Sequence, residues 1–159
     1  MIHLKSPEEI ELCAQAADLV SRTLGILAPR VVPGVTPLEL DRLAEEYIRD
    51  SGGIPAFKGL YGFPNTLCIS PNDQVVHGIP GKAPLRDGDI LSVDCGVRLN
   101  GFIGDQAFTF GVGIITPEAQ KLLRITRECL DRGIAQAVAG KRIGDIGHAI
   151  QEHAEAAGY

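Results

Sequence analysis

The chain has 159 residues, 45% of them hydrophobic, enough to bury one ordinary domain core. A net charge of −5 and a pI near 5.3 leave no basic footprint, which argues against nucleic acid as the main ligand. No apolar run is long enough to span a bilayer, and the opening "MIHLKSPEEIEL" is charged, with no apolar signal core. Cys13, Cys68, Cys95 and Cys129 lie far apart with no CxxC. That spacing suits reduced thiols in a cytosolic protein, acting as small apolar core residues, better than a disulfide frame or a zinc knuckle.

The first helix opens at "SPEEIELC", with Ser6 as N-cap, Pro7 at the first helical position and Glu9 completing a capping box. Ile10, Cys13, Ala17, Val20, Leu24 and Leu27 recur at helical spacing and predict one buried stripe, and Pro29 ends the helix. A second helix repeats the device: Thr36 caps, Pro37 leads, Glu39 sits three on, and Gly52-Gly53 closes it. "NTLCIS" and "QVVHGIP" then predict two short strands around a "PND" turn. "DGDILSVDCGVRL" and "FIGDQAFTFGV" predict a hairpin, because Asn100-Gly101 between them is a strong short-range turn signal. From Thr116 the helical pattern returns twice, through "TPEAQKLL" and "DIGHAIQEHAEAAGY".

The last two helices echo the first two. Ser6 and Thr116 lie 110 residues apart, while Gly34 and Gly140, like Gly52 and Gly158, lie 106 apart. The pattern predicts an internal duplication of two helices followed by strands. Residues 1–159 then read as one incomplete domain, with 1–115 the first pseudo-repeat and 116–159 the start of the second. Stripes on the last helices, patterned to cover strands, should leave apolar surface open.

The hairpin carries the chemistry. If Asn100 and Gly101 form a two-residue turn, Leu99 faces Phe102, Asp105 faces Gly96 and Asp94 faces Ala107. Asp94 and Asp105 then share one face as diagonal neighbours, about 7–8 Å apart at the backbone. Small residues Ser92, Gly96 and Ala107 leave a hollow there, while Leu91, Val93, Cys95, Val97, Leu99, Phe102, Phe108 and Phe110 make a core face on the other side. Two carboxylates in a hollow repel, so one must protonate or a cation must neutralise the pair. Oxygen ligands suit a hard or borderline divalent ion such as Mn, Fe(II), Co or Mg. A solvated acidic face is the plain alternative, and an inserted bulge would separate the two side chains altogether.

His77 follows the "VVHGIPG" run beside Gly78, where backbone can approach a ligand closely; a structural histidine is the competing reading. His148 and His153 are five apart, about 140° around a helix, and do not face one ligand. They read as surface residues, and the HExxH spacing is absent.

"GFPNTLCISPNDQVVHGIPG", "LRDGDILSVDCGV" and "NGFIGDQAFTFGVG" together resemble the type I methionine aminopeptidases, a likeness running from "LKSPEEIEL" to "AAGY". The resemblance implies the α+β pita-bread fold (creatinase/aminopeptidase-like), as one complete half plus the opening helices of the second. It implies two divalent metal ions (Co, Mn, Fe or Zn), with Asp94 and Asp105 as the first two ligands. It implies that His77 bonds the substrate and steadies charge developing at the scissile carbonyl, and that Phe63 and Cys68 line a pocket for the methionine side chain. The family's other ligands, a histidine and two glutamates, fall beyond Tyr159, so the 159-residue chain alone is expected to be inactive. Leu60 stands where the family usually has tyrosine, and Gln106 and Phe108 depart from the commoner "GDSART" pattern. For the whole protein the resemblance implies cytoplasmic removal of N-terminal methionine from nascent chains with a small second residue, met near the ribosome, with no membrane or nucleic-acid partner.

Two alternatives stand beside it. A prolidase or aminopeptidase P would share the fold, though those usually carry an extra N-terminal domain. A non-catalytic pita-bread binding module would typically have lost its metal ligands, and Asp94 and Asp105 are both kept.

Overall fold

The computed structural model describes residues 4–159. The helix starts follow the capping chemistry. Helix α1 (Pro7–Leu27) begins with the Ser6 hydroxyl accepting from Glu9 N and the Glu9 carboxylate accepting from Ser6 N. Helix α2 (Pro37–Asp50) begins the same way with Thr36 and Glu39. Its end is a Schellman turn: Gly52, at φ 78°, donates to Arg49 O and Gly53 donates to Ile48 O.

Four strands among the described residues form one antiparallel sheet. Strand β3 (Ile90–Leu99) is central. Along one edge it pairs first with β2 (Leu67–Pro71) and then with the short β1 (Ile54–Pro55). Along the other edge it pairs over its whole length with β4 (Phe102–Gly111). Asn100 and Gly101 turn the hairpin at φ 50° and 84°, the left-handed pair that a type I′ turn requires.

One sheet face packs on the helices. Leu67, Ile69, Leu91, Val93, Cys95 and Val97 meet Leu19, Val20, Leu24 and Leu27 of α1 and Leu40, Ala44 and Ile48 of α2. Each fully buried leucine, isoleucine or valine among them contributes on the order of 1.5–3 kcal/mol. The phase of α1 differs from the expected stripe: Ala16, Leu19, Val20, Thr23, Leu24 and Leu27 are buried, Cys13 is half-buried, and Ile10 and Ala17 are exposed. Gly104 explains the rotation. A methyl there would lie 2.5 Å from the Ala16 carbonyl, so its absence lets β4 lie against the α1 backbone at Ala16. The core face is also shorter than expected, since Phe108 is exposed; Gln106, which interrupts that face, is exposed too and its Oε1 accepts from Ser21 Oγ at 2.9 Å.

"QVVHGIP" is not a strand. Residues 74–80 are irregular, and Val75 and Val76 are exposed. Beyond the turn bond from Gln74 N to Pro71 O, the segment meets β2 at Gly78, which accepts from Ile69 N at 2.9 Å and donates to Ser70 Oγ at 3.1 Å. His77 at φ 58° breaks the extended run, and Pro80 has no N–H to continue a ladder.

The chain divides by its internal contacts into two compact units, one ending at Ile115 and one starting at Thr116. The second holds helices α3 (Pro117–Gln136) and α4 (Ile143–Ala156). Ile146 and Ile150 pack over Gly133, and Cys129 lies against the Ile150 carbonyl. His153 is half-buried and paired with Glu128 at 2.7 Å, so it is not the free surface residue expected, whereas His148 is exposed. Leu130, Ile134, Val138 and Ile143 are exposed apolar positions of this unit. Gly140 and Gly158, at φ 87° and 89°, share the left-handed conformation of Gly34 and Gly52 at 94° and 78°.

Candidate functional site

The sheet face turned away from α1 and α2 carries the candidate site. Because the hairpin closes without a bulge, Gly96 pairs with Asp105 and Asp94 pairs with Ala107. Side chains alternate along each strand, so both carboxylates emerge on this face. On the other edge Cys68 pairs with Asp94, which puts the thiol in the same row. Asp94, Asp105, His77, Phe63 and Cys68 all line one cavity of about 440 Å³.

The hollow left by small residues is partly filled. Phe57 lies against Gly96 so closely that a methyl there would overlap its ring, and Ser92 Oγ bonds Thr109 Oγ1 at 2.8 Å. The rest of the wall comes from Leu60, Tyr61, Pro64 and Ile79. Leu60 contributes an aliphatic side chain to this part of the wall. Tyr61 holds a left-handed backbone, φ 49°, and is fully exposed at the rim.

His77 reaches the site through backbone geometry. A side chain at Gly78 would overlap the Ile69 carbonyl, so only glycine permits this docking on β2. The left-handed φ of His77 is an uncommon backbone state of the kind that collects at functional sites.

The electrostatics are those of charge held without a full set of partners. Burial raises the Asp94 carboxyl to about 6, repulsion and hydrogen bonding from Asp105 add to this, and His77 opposes it. Burial pushes the Cys68 thiol up to about 11, reinforced by Asp94, Asp105 and Asp41, so it is a neutral wall residue at pH 7. Among the described residues, the buried side-chain oxygens without a partner are Thr66 Oγ1 and Asp94 Oδ1. A buried carboxylate oxygen with no donor, beside a second carboxylate on the same face, is a donor set that a hard divalent cation would satisfy. The described residues bring two such carboxylates together; no cluster of three or more His, Cys, Asp or Glu able to hold a metal occurs among them.

Two contributors escaped the sequence reading. Phe57 follows a two-residue strand and has no pattern to mark it. Asp41 did leave a signal: it is a carboxylate within the apolar stripe Pro37, Leu40, Ala44 and Ile48 of α2.

The sequence matches metallopeptidase family M24 over residues 11–159. A methionine aminopeptidase of Clostridium perfringens is 54% identical over 159 residues, covering 100% of this chain and 64% of its own length. The crystal structure of methionine aminopeptidase from Rickettsia prowazekii superimposes with a TM-score of 0.95 at 35% identity, over 98% of this chain and 63% of that one. A prolidase from Pyrococcus furiosus superimposes at 0.87 over 98% of this chain and 45% of its own, but at 21% identity it shares the fold alone. The chain thus spans about 64% of the length of the curated relatives it matches.

Proposed function

The chain belongs to metallopeptidase family M24, with part of that family's α+β pita-bread fold, and from that premise we propose that the whole protein is a metal-dependent methionine aminopeptidase. The observation that carries this reading is the convergence of Asp94 and Asp105, one with an unpartnered buried oxygen, on a cavity whose remaining wall is mostly apolar apart from His77 and Tyr61. Asp94 and Asp105 would hold two divalent ions of the Co, Mn, Fe or Zn class. Such ions, when bound, supply positive charge that polarises a peptide carbonyl and makes water more acidic.

The chain's own residues do the rest. His77 stands at the cavity within the field of the carboxylates and donates a hydrogen bond to the carbonyl oxygen as charge develops there. Phe63, Cys68, Leu60 and Ile79 enclose an unbranched apolar side chain and exclude water from it. An uncharged thiol at Cys68 suits contact with a thioether, which is apolar and polarisable. The substrates would be nascent polypeptide N-termini met at the ribosome in the cytoplasm. Among the described residues no helix is long and apolar enough to cross a membrane.

The test uses the protein at the full length of its relatives, loaded with manganese or cobalt. Methionine release from Met-Ala-Ser, lost in Asp94→Asn and in Asp105→Asn, is the expected result. Preference for Xaa-Pro substrates over Met-Ala-Ser would overturn it in favour of a prolidase-like activity.

A further inference from the structure

Helix α2 presents two carboxylates one turn apart, and they hold the two ends of the segment that walls the cavity. Asp41 is only 3% exposed. Its Oδ1 accepts from Thr66 N at 2.9 Å and Leu67 N at 2.8 Å, and its Oδ2 accepts from Asn65 Nδ2 at 2.8 Å. At the other end Glu45 accepts from Lys58 Nζ at 2.7 Å. Between these anchors Gly59, Tyr61 and Gly62 adopt left-handed backbone, and the span closes on itself as a compact turn. Gly59 N donates to Phe63 O at 2.8 Å and Phe63 N to Leu60 O at 2.9 Å, so the anchors at its ends set where that turn sits against the sheet. The wall residues Leu60, Phe63 and Pro64 lie in that span, and Cys68 follows directly after the second anchor.

The two anchors are unequal. Glu45 and Lys58 form a partly exposed ion pair, a type that contributes little. Asp41 is a buried carboxylate with three N–H donors, and charge-assisted bonds of this kind are strong because the alternative is an unpaired group away from water. A carboxylate on an apolar helix face costs desolvation, and an apolar residue there would pack against the same core without that cost. What an apolar residue could not do is hold Thr66 and Leu67 in one register.

We propose that Asp41 is a positioning residue of the substrate pocket: by fixing Asn65, Thr66 and Leu67 it sets where Phe63 and Cys68 stand, and so which side chain the cavity admits. This rests on the reading of the cavity as the pocket for an N-terminal methionine. The Leu67 bond fixes the start of β2, hence the place of Cys68 opposite Asp94. The Asn65 bond fixes the chain that carries Pro64 and Phe63.

The experiment is alkylation of the metal-free chain with iodoacetamide, followed cysteine by cysteine by mass spectrometry, with and without Met-Ala-Ser. Cys95, in the core behind the same sheet, is the internal reference. Asp41→Ala should speed reaction at Cys68 about tenfold or more while Cys95 stays protected, because the loss is a local opening. Asp41→Asn keeps an oxygen for both backbone N–H groups, and the Asn65 amide can turn to meet its nitrogen. It should react within about threefold of wild type. An unchanged Cys68 rate in Asp41→Ala overturns the proposal, and so does an Asp41→Asn variant as reactive as Asp41→Ala. If Asp41→Ala exposes Cys95 as well, Asn65→Ala decides, since it removes one arm of the clamp from a half-buried position; no increase at Cys68 there overturns the proposal. Met-Ala-Ser should slow alkylation of wild-type Cys68 and fail to do so in Asp41→Ala. Absence of protection in wild type removes the methionine pocket instead, while the contrast between Asp41→Ala and Asp41→Asn still judges the clamp.

Discussion

Asp94 and Asp105 leave neighbouring strands on the same face, because Asp94 pairs with Ala107, Asp105 pairs with Gly96 and no residue is inserted between Leu99 and Phe102. Their shared direction is a consequence of a two-residue turn and the period-two alternation of β-structure. It brings two carboxylates to the lining of one cavity, and one of them, Asp94, has a buried oxygen with no hydrogen-bond partner.

That relationship has a direct consequence for metal binding. Calorimetric titration of the chain with manganese should give measurable heat, and Asp94→Asn or Asp105→Asn should each weaken binding about tenfold or more. The double substitution should abolish it. Undiminished binding in the double variant would show that the ion goes elsewhere.

Binding and turnover should separate. With two carboxylates converging and no cluster of three or more ligating side chains among the described residues, a bound ion is poorly fixed, and catalysis depends on fixed geometry. The 159-residue polypeptide, supplied with manganese or cobalt and Met-Ala-Ser, is therefore expected to release no methionine. Sustained release, followed by chromatography of the free amino acid, would refute this.

The raised Asp94 carboxyl makes a sign-specific statement about stability. Its folded-state value of about 6 stands above the ordinary 3.8, so between those values the folded, metal-free chain keeps a proton that the unfolded chain has released. Stability from this group is present below pH 4 and is lost as pH rises through about 6. At pH 7 Asp94→Asn should be more stable than wild type by about 1–2 kcal/mol, a figure reduced for the open side of the cavity. Urea unfolding at pH 4.5 and pH 7 measures this as the difference between the two proteins, which cancels the contribution of other carboxylates. A variant that gains nothing at pH 7 relative to pH 4.5 would count against a strained carboxylate pair.

Three glycines should respond in three different ways to alanine. Gly104→Ala places a methyl 2.5 Å from the α1 backbone, which cannot step aside, and should cost about 3 kcal/mol or more. Gly96→Ala meets the far end of the Phe57 ring, which can rotate away, so a smaller loss of about 1–2 kcal/mol is expected together with a changed cavity wall. Gly147→Ala lies inside α4 with nothing within 4 Å and should stabilise by about 0.5–1 kcal/mol. Denaturant midpoints for the three variants would give the order, and a Gly104→Ala protein as stable as wild type would contradict the close packing of β4 on α1.

Local chemistry written in the chain determined a good deal by itself. Ser6 with Glu9, Thr36 with Glu39 and the Asn100-Gly101 turn act over three or four residues, so the starts of α1 and α2 and the register of the hairpin follow from sequence alone. The common face of Asp94 and Asp105 follows from that register. Tertiary structure alone decided what covers each face. Phe57 lies 39 positions from the Gly96 it packs on, and Asp41 lies 26 from the Leu67 it holds, so no local rule links them. The same is true of α1, whose buried side was set by the absence of a side chain at Gly104, and of Val75 and Val76, which have strand-forming side chains but run into His77 at φ 58°, where the extended backbone breaks. Periodicity and turn chemistry fix where the backbone goes nearby; contacts between distant segments depend on shape and on which hydrogen-bonding groups are still free once the chain has closed.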